Sequence, residues 1–220
     1  MRSNLPFDAV LFDLDGTLID SAPGIIDSLE QTFRHFGWAI PPRSELMHYI
    51  GPPLIDSFRH RLGLDEADAW EMLRVYREDY RRDGAFDAAV FPGVLGLLEQ
   101  LRASEIPLAV ATSKPESQAV RILAHLDLSQ YFAVISGASE DETRSTKADI
   151  VSVALTGLRD MGHLANRAVL VGDRVYDVEG AAAHGIPAVI VEWGYGSPHE
   201  AVGAASTVYS ADQLRAFLLA

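Results

Sequence analysis

The sequence contains no cysteine. Disulfides, zinc–thiolate centres and cysteine nucleophiles are thereby excluded. Positive charge is scarce as well, since 18 Lys plus Arg stand against 31 Asp plus Glu, a formal net charge of −13. Such an acidic surface keeps a protein soluble and works against nucleic acid as a partner, because holding a phosphate backbone takes clustered cations. Long apolar runs are missing too. The stretch Ala9–Phe12 is cut short by Asp13, too early for a signal-peptide core, and nothing approaches the length needed to span a bilayer. The expectation is a cytoplasmic protein, monomer or homodimer, with neither membrane nor nucleic acid as partner. Lysine is the rarest cation: of the 18 basic residues only Lys114 and Lys147 are lysines. If an acidic chain handles an anion, it must supply positive charge locally, and these two positions are informative for that reason.

What is present reads as an ordinary globular chain, with 48% hydrophobic and 22% charged residues over 220 positions. That length suits one domain with a large insertion, or two small ones. Short apolar runs alternate with amphipathic helical stretches such as 116–126 and 148–158. The runs are Ala9–Phe12, Leu108–Ala111, Ala133–Ile135, Ala168–Val171 and Ala188–Val191. None alternates with polar residues, as expected of strands buried on both faces of a parallel sheet. The pattern predicts a doubly wound, Rossmann-like α/β core.

One stretch breaks the alternation. From Ser21 to Ala89 the periodicity is helical throughout. Ile25, Leu29, Phe33 and Phe36 share one face, with Asp20 or Ser21 as N-cap, Pro23 in the first turn and Gly37 at the end. Leu54, Phe58 and Leu62 form a second stripe, and Ala69, Leu73, Tyr76 and Tyr80 a third. The reading is an all-helical insertion over 21–89 within a core formed by 1–20 and 90–220. The aromatic stripes are expected to pack the insertion's own interior.

Four segments at or just beyond strand C-termini carry the chemistry, where open parallel sheets bind ligands. Asp13-Leu14-Asp15-Gly16-Thr17 brings two carboxylates to the mouth of an apolar strand. Their repulsion calls for a hard divalent cation, and two such acids suit the roles of nucleophile and acid/base. Gly16 allows a sharp turn whose amides can face an anion. Thr112 and Ser113 offer hydroxyls for a phosphate, although Ser113 equally suits a simple helix cap. Lys147 supplies a point charge at a third strand end. Asp173 reads as a metal ligand or an N-cap. Asp177, four residues on, reads as a residue that orients metal-bound water or pairs with Lys147.

In this order the four segments resemble the motifs of the haloacid dehalogenase superfamily, in particular its phosphatases with a helical cap after the first strand. Ser21-Ala22-Pro23-Gly24, Ile50-Gly51-Pro52-Pro53-Leu54 and Ala111–Pro115 resemble the subgroup named phosphoglycolate phosphatase or 5′-nucleotidase. One departure is Ala148, where that subgroup often has proline after the third-motif lysine. The resemblance implies that Asp13 attacks phosphorus and that Asp15 protonates the leaving alcohol and then activates water. It implies Mg²⁺ on Asp13, the backbone carbonyl of Asp15 and Asp173, and a phosphoryl group held by Thr112 and Lys147. An acid at Asp15 sets the chain apart from dehalogenases, whose leaving group needs no proton.

The implied substrate is a small phosphate monoester, phosphoglycolate-like or a nucleoside 5′-monophosphate. The rival readings are a sugar-phosphate mutase on the same fold and a regulatory protein with an idle site. For the cap, the segment around Gly51-Pro52-Pro53 and the basic Arg43, His48 and Arg59 are candidates to approach the site. An inward arginine would favour a carboxylated substrate; an aromatic lining would favour a base. Cap motion is expected about 19–21 and 86–92. Gly194-Tyr195-Gly196 reads as a loop after the last strand.

Overall fold

The computed structural model describes residues 5–220. Strand β1 (Ala9–Phe12) and the two-residue β2 (Ile19–Asp20) lead into a run of helices: α1 (Ala22–His35), α2 (Arg43–Leu46), α3 (Leu54–Leu62) and α4 (Glu66–Arg82). Strand β3 (Ala89–Val90) returns to pair antiparallel with β2, Ile19 opposite Val90 and Asp20 opposite Ala89. From there strands and helices alternate: α5 (Val94–Ala103), β4 (Leu108–Pro115), α6 (Glu116–His125), β5 (Val134–Ala138), α7 (Lys147–Asp160), β6 (Ala168–Gly172), α8 (Val175–Ala182), β7 (Ala188–Val191), β8 (Ser206–Val208) and α9 (Ala211–Leu219).

The main sheet has six strands in the order β5-β4-β1-β6-β7-β8, every neighbouring pair parallel. The pleat divides β1 between two cores. Val10 and Phe12 face the layer containing Leu98, Ile122 and Leu218. Ala9 and Leu11 face Ile150, Leu155 and Ala181. Helices on both faces explain why β1 carries no polar alternation. The first of these cores continues into the helical run, taking in Leu29 and Phe33 of α1 and Phe58, Leu73 and Tyr80 of α3 and α4.

Local signals account for the helices. Asp65 caps α4 by accepting from the amide of Asp68 at 2.9 Å. Pro23 lies in the first turn of α1, and Gly63 at φ 69° ends α3 in the left-handed region. Two expectations need correction. β4 continues beyond Ala111 to Pro115, so Ser113 lies in the strand and Pro115 takes the N-cap position of α6. Gly194–Gly196 does not follow the last strand, because β8 pairs beyond it along the edge of β7. Ser-Thr-Val is too short and polar to read as a strand; parallel pairing with β7 imposes it. Ile19–Asp20 and Ala89–Val90 also form a ribbon that no periodicity announces.

Candidate active site

The chain runs from β1 outward through β4 and β5, then returns to the other side of β1 with β6. The strand order therefore switches at β1, and a crevice opens at its C-terminal end. Asp13 follows β1, Thr112 to Lys114 end β4, Lys147 opens α7 after β5, and Asp173 follows β6. The fold thus gathers the four sequence segments at one sheet edge.

Lys147 organises the site. Its ammonium lies 2.8 Å from Asp13 Oδ1 and 2.8 Å from Asp177 Oδ1, and donates to the carbonyl of Ala111 at 3.1 Å. Burial opposes the charge on Lys147, but the two carboxylates outweigh it and hold its pKa above the ordinary lysine value. Asp177 meets the expectation of a pair with Lys147. It also accepts from the amide of Arg174 at 3.0 Å, which fixes the first turn of α8.

Carboxylate oxygens of Asp13, Asp173 and Asp177 lie within 4.8 Å of one another, and all three residues are buried. Asp173 Oδ2 accepts from the amide of Tyr195 at 2.7 Å, whereas its Oδ1 is buried without a partner. Burial, followed by the nearby charges of Asp13 and Asp177, pushes the Asp173 carboxyl well above the usual range. An orphaned carboxylate oxygen among three acids fits a hard divalent cation, which would relieve both the repulsion and the missing bond. Gly16, at φ 83°, runs close beside this cluster: a Cβ there would come within 2.7 Å of Asp173 Cγ and 2.9 Å of the Tyr195 ring.

The carboxylate of Asp15 stands apart. Ser21 donates to its Oδ1 at 2.5 Å, and Lys114 Nζ lies 3.1 Å from its Oδ2. Lys114 in turn donates to the hydroxyl of Tyr80 at 2.8 Å, joining β4 to α4. Thr112 is buried, and its Oγ1 accepts from the amide of Lys114 at 3.2 Å. Thr112 and Ser113 both border a cavity of about 70 Å³ that also takes in Asp13, Asp15, Gly51–Leu54, Tyr76, Arg77 and Tyr80.

Several of these residues escaped the sequence reading. Tyr76 and Tyr80 do pack the helical interior as expected, but they also line the cavity. Arg43, His48 and Arg59 are exposed and do not line it; the arginine that does is Arg77. Arg77 is bound to Glu142, which follows β5, and to the carbonyl of Glu140 at 2.9 Å. Gly51–Pro53 borders the cavity, with Ile50 held by Arg174 through its carbonyl. Tyr195 is far from a plain loop residue: its hydroxyl accepts from the amides of Ser21 and Ala22 at 2.7 and 3.0 Å and donates to Asp20 at 2.8 Å. These bonds tie the loop after β7 to the start of α1. A tyrosine between two glycines gives no local sign of this.

Among the described residues no helix is long and apolar enough to cross a membrane. The haloacid dehalogenase-like hydrolase family model matches residues 10–191. The tyrosine-protein kinase PtkA of Mycobacterium tuberculosis is 47% identical over 187 residues, covering 85% of this chain and 62% of that one. The chain thus spans less than two thirds of this mycobacterial relative. A 5′-nucleotidase of Pseudomonas aeruginosa is 38% identical over 94% of this chain and 93% of its own. The solved structure of a predicted phosphatase from Clostridium acetobutylicum superposes with a TM-score of 0.89 at 37% identity, covering 96% of this chain and 97% of the other. Motifs, sheet order and matched span agree, and the chain belongs to the haloacid dehalogenase-like hydrolase family.

Proposed function

We propose that the protein is a Mg²⁺-dependent phosphatase that hydrolyses a small phosphate monoester through an aspartyl-phosphate on Asp13. The observation that carries this reading is Lys147 bridging Asp13 and Asp177, beside an Asp173 oxygen left without a partner. Asp13 and Asp173 would hold the cation, with the backbone carbonyl of Asp15 and with Asp177 beside them. Bound Mg²⁺ supplies charge neutralisation for the phosphoryl oxygens.

This chain's own groups do the remainder. Asp13 Oδ forms a bond to phosphorus as the ester oxygen leaves. Protonated Asp15 gives its proton to that oxygen, releasing the alcohol. Its carboxylate then takes a proton from water, whose oxygen attacks phosphorus and frees Asp13 and inorganic phosphate. Thr112, Ser113 and the Gly16 turn hold the phosphoryl oxygens, and the Lys147 ammonium stabilises their charge. Ser21 and Lys114 fix the carboxylate of Asp15. Residues 21–89 act as a cap on the core of 1–20 and 90–220, and the protein works in the cytoplasm.

Phosphate release from a panel of monoesters with Mg²⁺ tests the reading, with a loss of about 10⁴-fold or more expected for Asp13→Asn. Release from no ester would sink it, and an isomerised sugar phosphate in place of free phosphate would mark a mutase. Because the mycobacterial relative bears a kinase name, the same assay includes ATP and a tyrosine-containing acceptor. Transfer to that acceptor in preference to water would replace hydrolysis as the activity.

A further inference from the structure

The cavity beside Asp13 has a distinctive charge balance. Its lining contains two cations, Arg77 and Lys114, and each already faces a carboxylate of the same lining. Lys114 lies 3.1 Å from Asp15, and Arg77 is paired with Glu142, with side-chain exposures of only 10% and 13%. Arg77 spends a further donor on the Glu140 carbonyl at 2.9 Å. Counting Asp13, three acids and two bases line the space among the described residues, and neither of those cations is free for a second anionic group. Apart from the polar Thr112, Ser113 and Gln118, the rest of the wall, including Ile25, Tyr49, Leu54, Leu73 and Tyr76, is mostly apolar or aromatic. The space is also small, about 70 Å³ against the roughly 300–1,000 Å³ of ordinary ligand pockets.

We propose that the alcohol portion of the substrate is compact and uncharged, and that Glu142 is the specificity-determining residue, because it neutralises the one cap arginine at the cavity. The inference rests on the phosphatase reading and narrows it. A carboxylate in the leaving group would meet Glu142 with its counter-charge already engaged, and like charges brought together suppress the wrong partner. A nucleoside would exceed the space that Tyr76, Tyr80 and Leu54 leave.

The test compares kcat/KM, with Mg²⁺ present, for 2-phosphoglycolate, its uncharged isostere 2-phosphoglycolamide, and AMP. The amide is expected to exceed both others by about tenfold or more. Glu142→Gln releases Arg77, and the amide-to-acid ratio is expected to fall about tenfold, mainly through a lower KM for the acid. Adding Arg77→Gln to that variant should return the ratio to its original value, which assigns the gain to the arginine and not to a loosened loop. If Glu142→Gln does not fold, Arg77→Met carries the test: bare Glu142 should then widen the ratio about tenfold.

Preference of the unmodified enzyme for phosphoglycolate or AMP overturns the inference. So does an unchanged ratio in Glu142→Gln or, in its place, Arg77→Met, or a gain that persists in the double variant. Each of these results leaves the phosphatase reading standing. Phosphate release from none of the three esters, nor from any other monoester, overturns that reading and the inference with it.

Discussion

Lys147 shows how much one side chain can settle. It opens α7 with its stem buried, and its ammonium sits between Asp13 and Asp177 at 2.8 Å from each. Removing one partner of a buried charge group leaves the others uncompensated, a loss of about 3–5 kcal/mol. Lys147→Met is therefore expected to lower the unfolding free energy by about that amount in urea titrations with EDTA present. Mg²⁺ should recover part of the loss, since a cation held as proposed by Asp13 and Asp173 would replace the missing charge. A loss under about 1 kcal/mol would mean that the acids are already neutral in the folded chain.

Lys147 stood out in the sequence by its rarity and its place after a β-type run, and the fold sets it between Asp13 and Asp177. Lys114 stood out on the same grounds, but its partners did not. Tyr80 lies 34 positions earlier on a helix whose aromatic stripe reads as packing, and only the folded chain brings its hydroxyl to Lys114. Arg77 and Glu142 were hidden for a related reason: 65 positions separate them, and each is one of many charges on an acidic chain.

At the level of elements, the approach of the helical run to its own connections depends on two small residues. Gly24 of α1 and Gly84 in the turn after α4 meet backbone to backbone. A Cβ on Gly84 would lie 2.7 Å from the Gly24 carbonyl oxygen and 2.9 Å from the Tyr80 ring. Neither neighbour can move freely, because α1 is pinned by Tyr195 and Tyr80 holds Lys114. Gly84→Ala is expected to cost about 1–3 kcal/mol through overpacking. Gly96→Ala in α5, where a Cβ would meet nothing within 4 Å, should instead gain up to about 1 kcal/mol. Chemical denaturation of the pair checks this contrast, and equal effects would mean that the contact is not tight.

Burial decides which elements the sequence can reveal. β1, β4, β6 and β7 were readable because burial on both faces leaves an unbroken apolar run. The two-residue strands β2 and β3 and the edge strand β8 were not, since their pairing comes from the neighbour and not from their own side chains. Helical stripes placed α1, α3 and α4 correctly, but periodicity gives only the side facing inward. It does not say which inward residues border a cavity at the seam with the sheet.

For the molecule as a whole, a chain of net charge −13 folds three carboxylates into a buried cluster with a single lysine. Burial, then the neighbouring acids, raises the carboxyl of Asp173 well above its ordinary value, and burial likewise raises that of Asp177. With folded values above unfolded ones, the metal-free native state binds more protons than the unfolded chain in the interval between them. Its stability therefore falls as pH rises through that interval. A cation competes with those protons, so its stabilisation should grow with pH. At about 100 times its dissociation constant, Mg²⁺ would add about 2.7 kcal/mol, or roughly 5–10 °C in Tm for a chain of this size. Thermal melts with and without Mg²⁺ at pH 5 and pH 7.5 check the prediction without any turnover. The expected result is a clearly larger upward shift at pH 7.5. A shift independent of pH, or larger at pH 5, would show that the Asp13, Asp173 and Asp177 cluster does not exchange protons for the metal.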